Sequence, residues 1–284
     1  MTVTTRPLTP HVGIEVAGAH GPDLVQRRAA DECLTLLGRH GVVVYREVSI
    51  SDADLVAFSR LLGDVTPNPT AEHEHPEIAT ITLDPAKTRE LLAWYREGNF
   101  LWHIDGATEA LPQRATLLSA QQVDEVGGDT EFASTYAAYD ALDDGEKARL
   151  EALSVVHSFA AAQRKAHPDA TAEQQAEWER IPSRVHPLVW VRRDGRRSLL
   201  LGATTDQVVG LDPDEGRALL DRLEQWSTRP EFVLRHHWRT GDLVVFDNTG
   251  LLHRAMPFEP TSPRLMHRTT LAGVEPVENL GAAR

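Results

Sequence analysis

Apolar residues recur at three- and four-residue steps in a few stretches of this chain. Elsewhere they come in short β-branched runs. Between positions 24 and 37, Leu24, Val25, Cys33, Leu34, Leu36 and Leu37 fall at roughly helical spacing, with Gly38 and Gly41 as stops. Positions 42–48 form a β-branched run and predict a strand. Ser51, with Asp54 three residues on, opens a periodic stretch through Leu55, Phe58 and Leu62 that Gly63 ends, the pattern of a capped helix. Two further helices are predicted, over 145–153 and 213–226. The second has Asp212 as cap, Pro213 in its first turn, and Leu219, Leu220, Leu223 and Trp226 on one face.

Strand signals dominate from position 78 onward. The runs 78–83, 100–105, 115–120, 188–191, 199–201, 232–238 and 243–247 are short and bounded by turn residues. Asp194-Gly195 and Thr240-Gly241-Asp242 read as hairpin connections. Many short strands with such punctuation predict a sandwich or a closed β architecture, mainly β with flanking helices. Positions 160–182 differ. They are polar, rich in Ala, Gln and Glu, and read as a partly helical insertion or a flap, a candidate lid. With no internal repeat, the chain reads as one domain over 1–284, although its length could also hold two smaller ones.

Composition narrows the function. The 284 residues carry 42 Asp+Glu against 29 Lys+Arg, a formal charge of -13, so broad attachment to nucleic acid or an anionic membrane is not expected. The single cysteine, Cys33, excludes an internal disulfide framework and a cysteine-cage zinc site. No apolar run approaches the roughly 20 residues of a membrane span. The first ten positions are polar, with two prolines, and do not read as a signal peptide. A soluble cytoplasmic protein acting on a small molecule is expected, and a homo-oligomer.

Three stretches could carry chemistry. In Trp102-His103-Ile104-Asp105, an extended backbone would put the His103 imidazole and the Asp105 carboxylate on one face, side by side. His-x-Asp also occurs by chance. In the second stretch, an apolar strand runs through a polar turn, Asp247-Asn248-Thr249-Gly250, to His253, which read alone is as well a hydrogen-bonded turn histidine. Together the three make a two-His-one-carboxylate set, the usual holder of non-haem Fe(II) in oxygenases. In the third, Arg264 and Arg268 share strand parity within an otherwise apolar run to Leu271. A buried arginine demands an anion, and its planar fork suits a carboxylate. At roughly 3.3 Å per residue the two lie ~13 Å apart, too far to share one carboxylate, so Arg268 would meet an anion on a second molecule or an internal acid. Gly127-Gly128-Asp129-Thr130 lacks the frame of a phosphate loop and reads as a tight turn presenting a hydroxyl. His157, His167, His186, His236, His237 and His267 read as structural or solvated.

The motifs WHID (102–105), GGDT (127–130), FDN and LLHRA (246–255) and PRLMHRTTLAG (263–273), in this order and spacing, resemble the TauD/TfdA family. The resemblance runs from about Gly13 to Gly273. It implies a double-stranded β-helix (jelly-roll) core and an Fe(II)- and 2-oxoglutarate-dependent dioxygenase that uses O2. Carried over, His103, Asp105 and His253 would ligate the metal. Arg264 and Thr130 would hold the distal carboxylate of 2-oxoglutarate, and Asn99 and Arg268 would line the substrate site. A substrate-site histidine falls in the stretch 67–75, where His73 and His75 both stand; His75 is the candidate. The implied reaction oxidises a substrate C–H bond, most simply by hydroxylation, with release of succinate and CO2. Desaturation or ring closure by the same oxidant is the alternative within the class. A non-catalytic β-barrel binding protein and a zinc hydrolase are the alternatives outside it. The aromatics Trp94, Tyr95, Phe100 and Trp102 are candidate pocket walls.

Overall fold

The computed structural model describes residues 3–68, 73–124, 126–259 and 261–278. Seven strands form the main sheet, in the order Thr4–Pro7, Ile14–Ala17, Val42–Tyr45, Leu243–Asp247, Ala115–Gln122, Leu265–Leu271 and Ala79–Ile81. All its pairings are antiparallel except that of Ile14–Ala17 with Val42–Tyr45. A smaller sheet faces it, with Thr130–Ser134 between Val233–His236 and Leu251–Ala255. The two sheets make the sandwich that the strand pattern predicts and the jelly-roll core that the resemblance implies.

Strand alternation sorts the core. Val42, Val44, Val244 and Phe246 point between the sheets and pack with Phe132, Leu251 and Met266. Val43, Tyr45, Leu243 and Val245 point the other way, onto two helices. Those helices are Arg27–His40, which buries Ala30, Cys33 and Leu37, and Asp52–Leu62. The Ser51 hydroxyl accepts the Asp54 N–H at the start of the latter, a cap of about 1 kcal/mol. At the far end, the helix Pro213–Ser227 packs Leu219, Leu220 and Leu223 against Val155, Trp190 and Leu199–Leu201.

Several expected elements differ. Residues 100–105 are not a strand: His103 makes a single bridge with His253, each backbone N–H donating to the other's carbonyl at 3.0 and 2.9 Å. The chain then turns at Gly106 (φ +75°), where a Cβ would lie 2.7 Å from the Gln113 nitrogen, so the backbone leaves after two residues. Thr240-Gly241-Asp242 is not a hairpin. It carries the chain from the small sheet, at Val233–His236, to the large one, at Leu243–Asp247. Within 160–182 lie two short helices, Phe159–Ala166 and Ala172–Trp178. Trp178 is buried, and His167 stacks on Trp94 at 3.8 Å, so the segment is pinned to the helix Glu90–Arg96. No helix among the described residues is long and apolar enough to cross a membrane.

Candidate active site

Between the sheets lies a cavity that opens to solvent. Ile81, Leu118, Phe246 and Met266 make it apolar, and His103, Asp105, His253, Thr130, Asn99, Arg264 and Arg268 make it polar. Strand geometry explains the convergence. Met266 and Arg268 share one face of the strand Leu265–Leu271 and Arg264 stands just before it; all three line the cavity while His267 leaves on the far face. His253 comes from the small sheet, and the bridge to His103 ties the 102–105 turn beside it. Glu131, buried in the small sheet, accepts from Arg235 and Arg254, and Arg254 lies 4.5 Å over the Trp102 ring. These contacts fix the strand of His253 against the segment of His103.

Ligand atoms of His103, Asp105 and His253 lie within 4.8 Å of one another. Nε2 of His103 and Nε2 of His253 stand 3.9 and 3.8 Å from Asp105 Oδ1, too long for hydrogen bonds and close enough to share one ion. Tautomers agree with that. His103 Nδ1 lies 2.8 Å from the Leu101 carbonyl, which can only accept, so Nδ1 carries the proton and Nε2 offers a lone pair. Burial, with His103 alongside, pushes the His253 imidazole down to about 3, which keeps it neutral and able to ligate. Burial alone would raise the Asp105 carboxyl. The electrostatic influence of His253, of the Arg268 guanidinium and of His103, with a hydrogen bond from Thr116, outweighs burial and holds it down to about 2.

A second His-His-carboxylate group, Asp52, His73 and His267, lies on the far face of the same strand. Here the atoms have closed onto one another: His267 Nδ1 is 2.6 Å from Asp52 Oδ1, and His73 Nε2 is 3.2 Å from Oδ2. The His75 backbone N–H donates to His73 Nδ1. The neutral ring therefore has its proton on Nε2, aimed at the carboxylate, and no lone pair there for a cation. This group is a hydrogen-bonded clamp. His75 stacks on His73 at 5.7 Å between ring centres and is not among the cavity residues.

At the other end of the cavity, Arg264 is buried, with Nε unpartnered and its guanidinium 4.8 Å over Phe258. Burial pulls it down to about 10, still cationic at neutral pH. Gly128 (φ +69°) lies under it, and a Cβ there would come within 2.9 Å of Arg264 Cδ and Nε. Thr130 Oγ1 accepts from Trp238 Nε1 at 2.9 Å, which leaves its own proton to donate. Arg268 is half-buried, 3.9 Å from Asp105 Oδ1, with Nε unpartnered; its internal acid neighbour is thus Asp105 itself. Asn99 lines the cavity as the motif implies.

The aromatic walls are not those expected. Trp102 is buried in the core beneath Arg254, while Trp94 lines an outer groove and Phe100 an adjoining recess. Phe246, Leu118, Met266 and Ile81 line the cavity instead. Their strand parity carried this signal: Phe246 lies one residue before the polar turn, and Met266 lies between the two arginines.

A jelly-roll cavity that sets two histidines and a carboxylate beside two buried-side arginines defines the class of Fe(II)- and 2-oxoglutarate-dependent dioxygenases. Residues 4–270 match the sequence model of the taurine catabolism dioxygenase TauD, TfdA family. The chain belongs to that family. It is 33% identical, over 95% of its own length and 98% of the relative's, to the alpha-ketoglutarate-dependent 2,4-dichlorophenoxyacetate dioxygenase of Cupriavidus pinatubonensis. Pentalenolactone F synthase of Streptomyces arenae is 29% identical, with 94% of each chain covered. Among solved structures, AAD-2 in complex with Mn(II) and N-oxalylglycine matches with a TM-score of 0.83 and 30% identity, covering 98% of this chain and 100% of that one. The enzyme is thus an oxidoreductase that uses Fe(II), 2-oxoglutarate and O2 on a small organic molecule.

Proposed function

We propose that this dioxygenase hydroxylates a C–H bond of a small organic anion, with His103, Asp105 and His253 holding the iron. The observation that carries the reading is the pair of arginines in one cavity: Arg264 buried with its Nε unpartnered, Arg268 beside Asp105. One cationic fork matches the distal carboxylate of 2-oxoglutarate, and the other serves a second anion. When bound, iron with 2-oxoglutarate and O2 supplies the oxidising power, and succinate and CO2 are released.

The chain's own residues bind, orient and dry the site. Arg264 and the free proton of Thr130 hold the 2-oxoglutarate carboxylate away from the metal. Arg268, with Asn99, orients the substrate's anionic group so that a fixed C–H bond faces the metal. Phe246, Leu118, Met266 and Ile81 exclude water around it. Support for a carboxylate-bearing substrate comes from relatives named for phenoxypropionate and 2,4-dichlorophenoxyacetate. The reading is tested by succinate release across a panel of small organic acids, each compared with its methyl ester. We expect turnover of an acid and little of its ester. Equal turnover of both would refute the anionic class.

A further inference from the structure

Asp105 offers two carboxylate oxygens, and the fold has already used one. Oδ1 faces His103, His253 and Arg268 at 3.8–3.9 Å. Oδ2 accepts a hydrogen bond of 2.8 Å from the hydroxyl of Thr116. Thr116 is fully buried on the strand Ala115–Gln122. Its Oγ1 in turn lies 2.9 Å from Nδ2 of Asn248, also fully buried, in the turn that leads to the strand of His253. Proton inventory fixes the direction of this chain. An ionised carboxylate only accepts, so the single hydroxyl proton of Thr116 goes to Asp105. The hydroxyl oxygen can then only accept from Asn248, which therefore turns its NH₂ inward. The Asn248 Oδ1 left over is buried without a partner, the penalty of that orientation. Asn248 is held in place by its backbone N–H, which donates to the Arg114 carbonyl at 3.0 Å.

We infer that Thr116 and Asn248 are positioning residues for the metal: Asn248 orients the Thr116 hydroxyl, and that hydroxyl restrains Asp105 so that only Oδ1 is presented to the ion. The inference rests on the reading of His103, Asp105 and His253 as the ligand set, and deepens it. A carboxylate on a short side chain rotates about its last bond unless one oxygen is tethered. Ligand-orienting partners of this kind commonly change metal affinity by about 10- to 100-fold. Asn248 also couples the two halves of the site. It lies five residues before His253, while Thr116 pairs across the sheet with Phe246 and Thr270.

The test compares Thr116→Val, which keeps the packed volume and removes the hydroxyl, with Thr116→Ser, which keeps the hydroxyl and removes a methyl. Anaerobic Fe(II) affinity, by competition with a chromophoric chelator, and apo-protein melting are read separately. We expect Fe(II) binding about 10- to 100-fold weaker in Thr116→Val and close to wild type in Thr116→Ser, although the latter loses apo stability. Asn248→Asp places an acceptor where a donor is required and should weaken Fe(II) as Thr116→Val does. Wild-type affinity in Thr116→Val, or equal weakening in the Val and Ser variants, would overturn the inference and leave the ligand set standing. Wild-type protein that binds no Fe(II), or binds it equally after His253→Ala, would overturn the ligand set and this inference with it.

Discussion

Replacing Arg264 with methionine should make the empty enzyme more stable and leave it unable to hold 2-oxoglutarate. The Arg264 guanidinium is buried, its Nε has no partner, and no ion pair to it forms among the described residues. Burial pulls it well below the usual guanidinium range, to about 10, which corresponds to about 3 kcal/mol of unfavourable charge burial. Methionine fills similar space without that penalty but gives up the contact over Phe258, worth about 1 kcal/mol. The net gain is about 2 kcal/mol, roughly 4 °C in the melting temperature of a chain of this size. Binding should move the other way. Removing one partner of a buried ion pair costs about 2–5 kcal/mol, so 2-oxoglutarate affinity should fall by roughly thirtyfold or more. Thermal unfolding with Mn(II), with and without 2-oxoglutarate, reads both effects. At a hundred times Kd the cosubstrate stabilises the wild type by about 2.7 kcal/mol, and that increment should fall below about 1 kcal/mol in the variant. A variant that melts lower without ligand, or that 2-oxoglutarate stabilises as much as the wild type, would refute the reasoning.

Arg268→Ala should raise KM for an acid substrate strongly and KM for its methyl ester little, measured by succinate release; equal effects on both would remove its role as the anion anchor. Gly128→Ala forces a side chain into the left-handed region, and its Cβ against Arg264 at 2.9 Å. It should lose about 1–2 kcal/mol of stability and weaken 2-oxoglutarate while leaving anaerobic Fe(II) affinity unchanged, checked by melting and titration. For pH, His253 and His157 are both held down to about 3 by burial. The unfolded chain protonates them near 6.5 and the folded one does not until about 3. Their stabilisation is therefore complete above ~6.5 and is lost as pH falls toward 3, by up to about 1.4 kcal/mol per pH unit for each. Urea unfolding of the apo protein at pH 7 and pH 5 should show the loss; unchanged or greater stability at pH 5 would contradict it.

The convergence of His103, Asp105, His253 and both arginines on one cavity is legible because each rests on local facts: residue parity for Arg264 and Arg268, and short spacing for His103 and Asp105. The second pair nevertheless does not meet on one strand face. His103 and Asp105 converge through a turn at Gly106 and a bridge to His253, a long-range pairing that no local pattern shows. The same limit hid Thr116 and Asn248, which lie 132 residues apart and meet through sheet pairing. It also hid the pocket walls: closeness in sequence to His103 makes Trp102 a candidate wall, and the fold buries it in the core. His75 fell outside because its neighbour His73 is bound to Asp52 and holds that stretch against the far face of the strand. Polar composition over 160–182 concealed one buried anchor, Trp178, which with the stack of His167 on Trp94 orders the segment.

On the proposed reading, His103, Asp105 and His253 hold one Fe(II) to which 2-oxoglutarate adds within reach of Arg264. Anaerobic titration of the apo protein with Fe(II) and then 2-oxoglutarate tests it most directly, because a weak visible charge-transfer band develops only when the cosubstrate chelates protein-bound iron. We expect one such site per chain, a band that saturates with 2-oxoglutarate, and its loss in His103→Ala, Asp105→Ala and His253→Ala proteins that still fold. A wild-type protein without the band, or any of the three variants with the band intact, would contradict it.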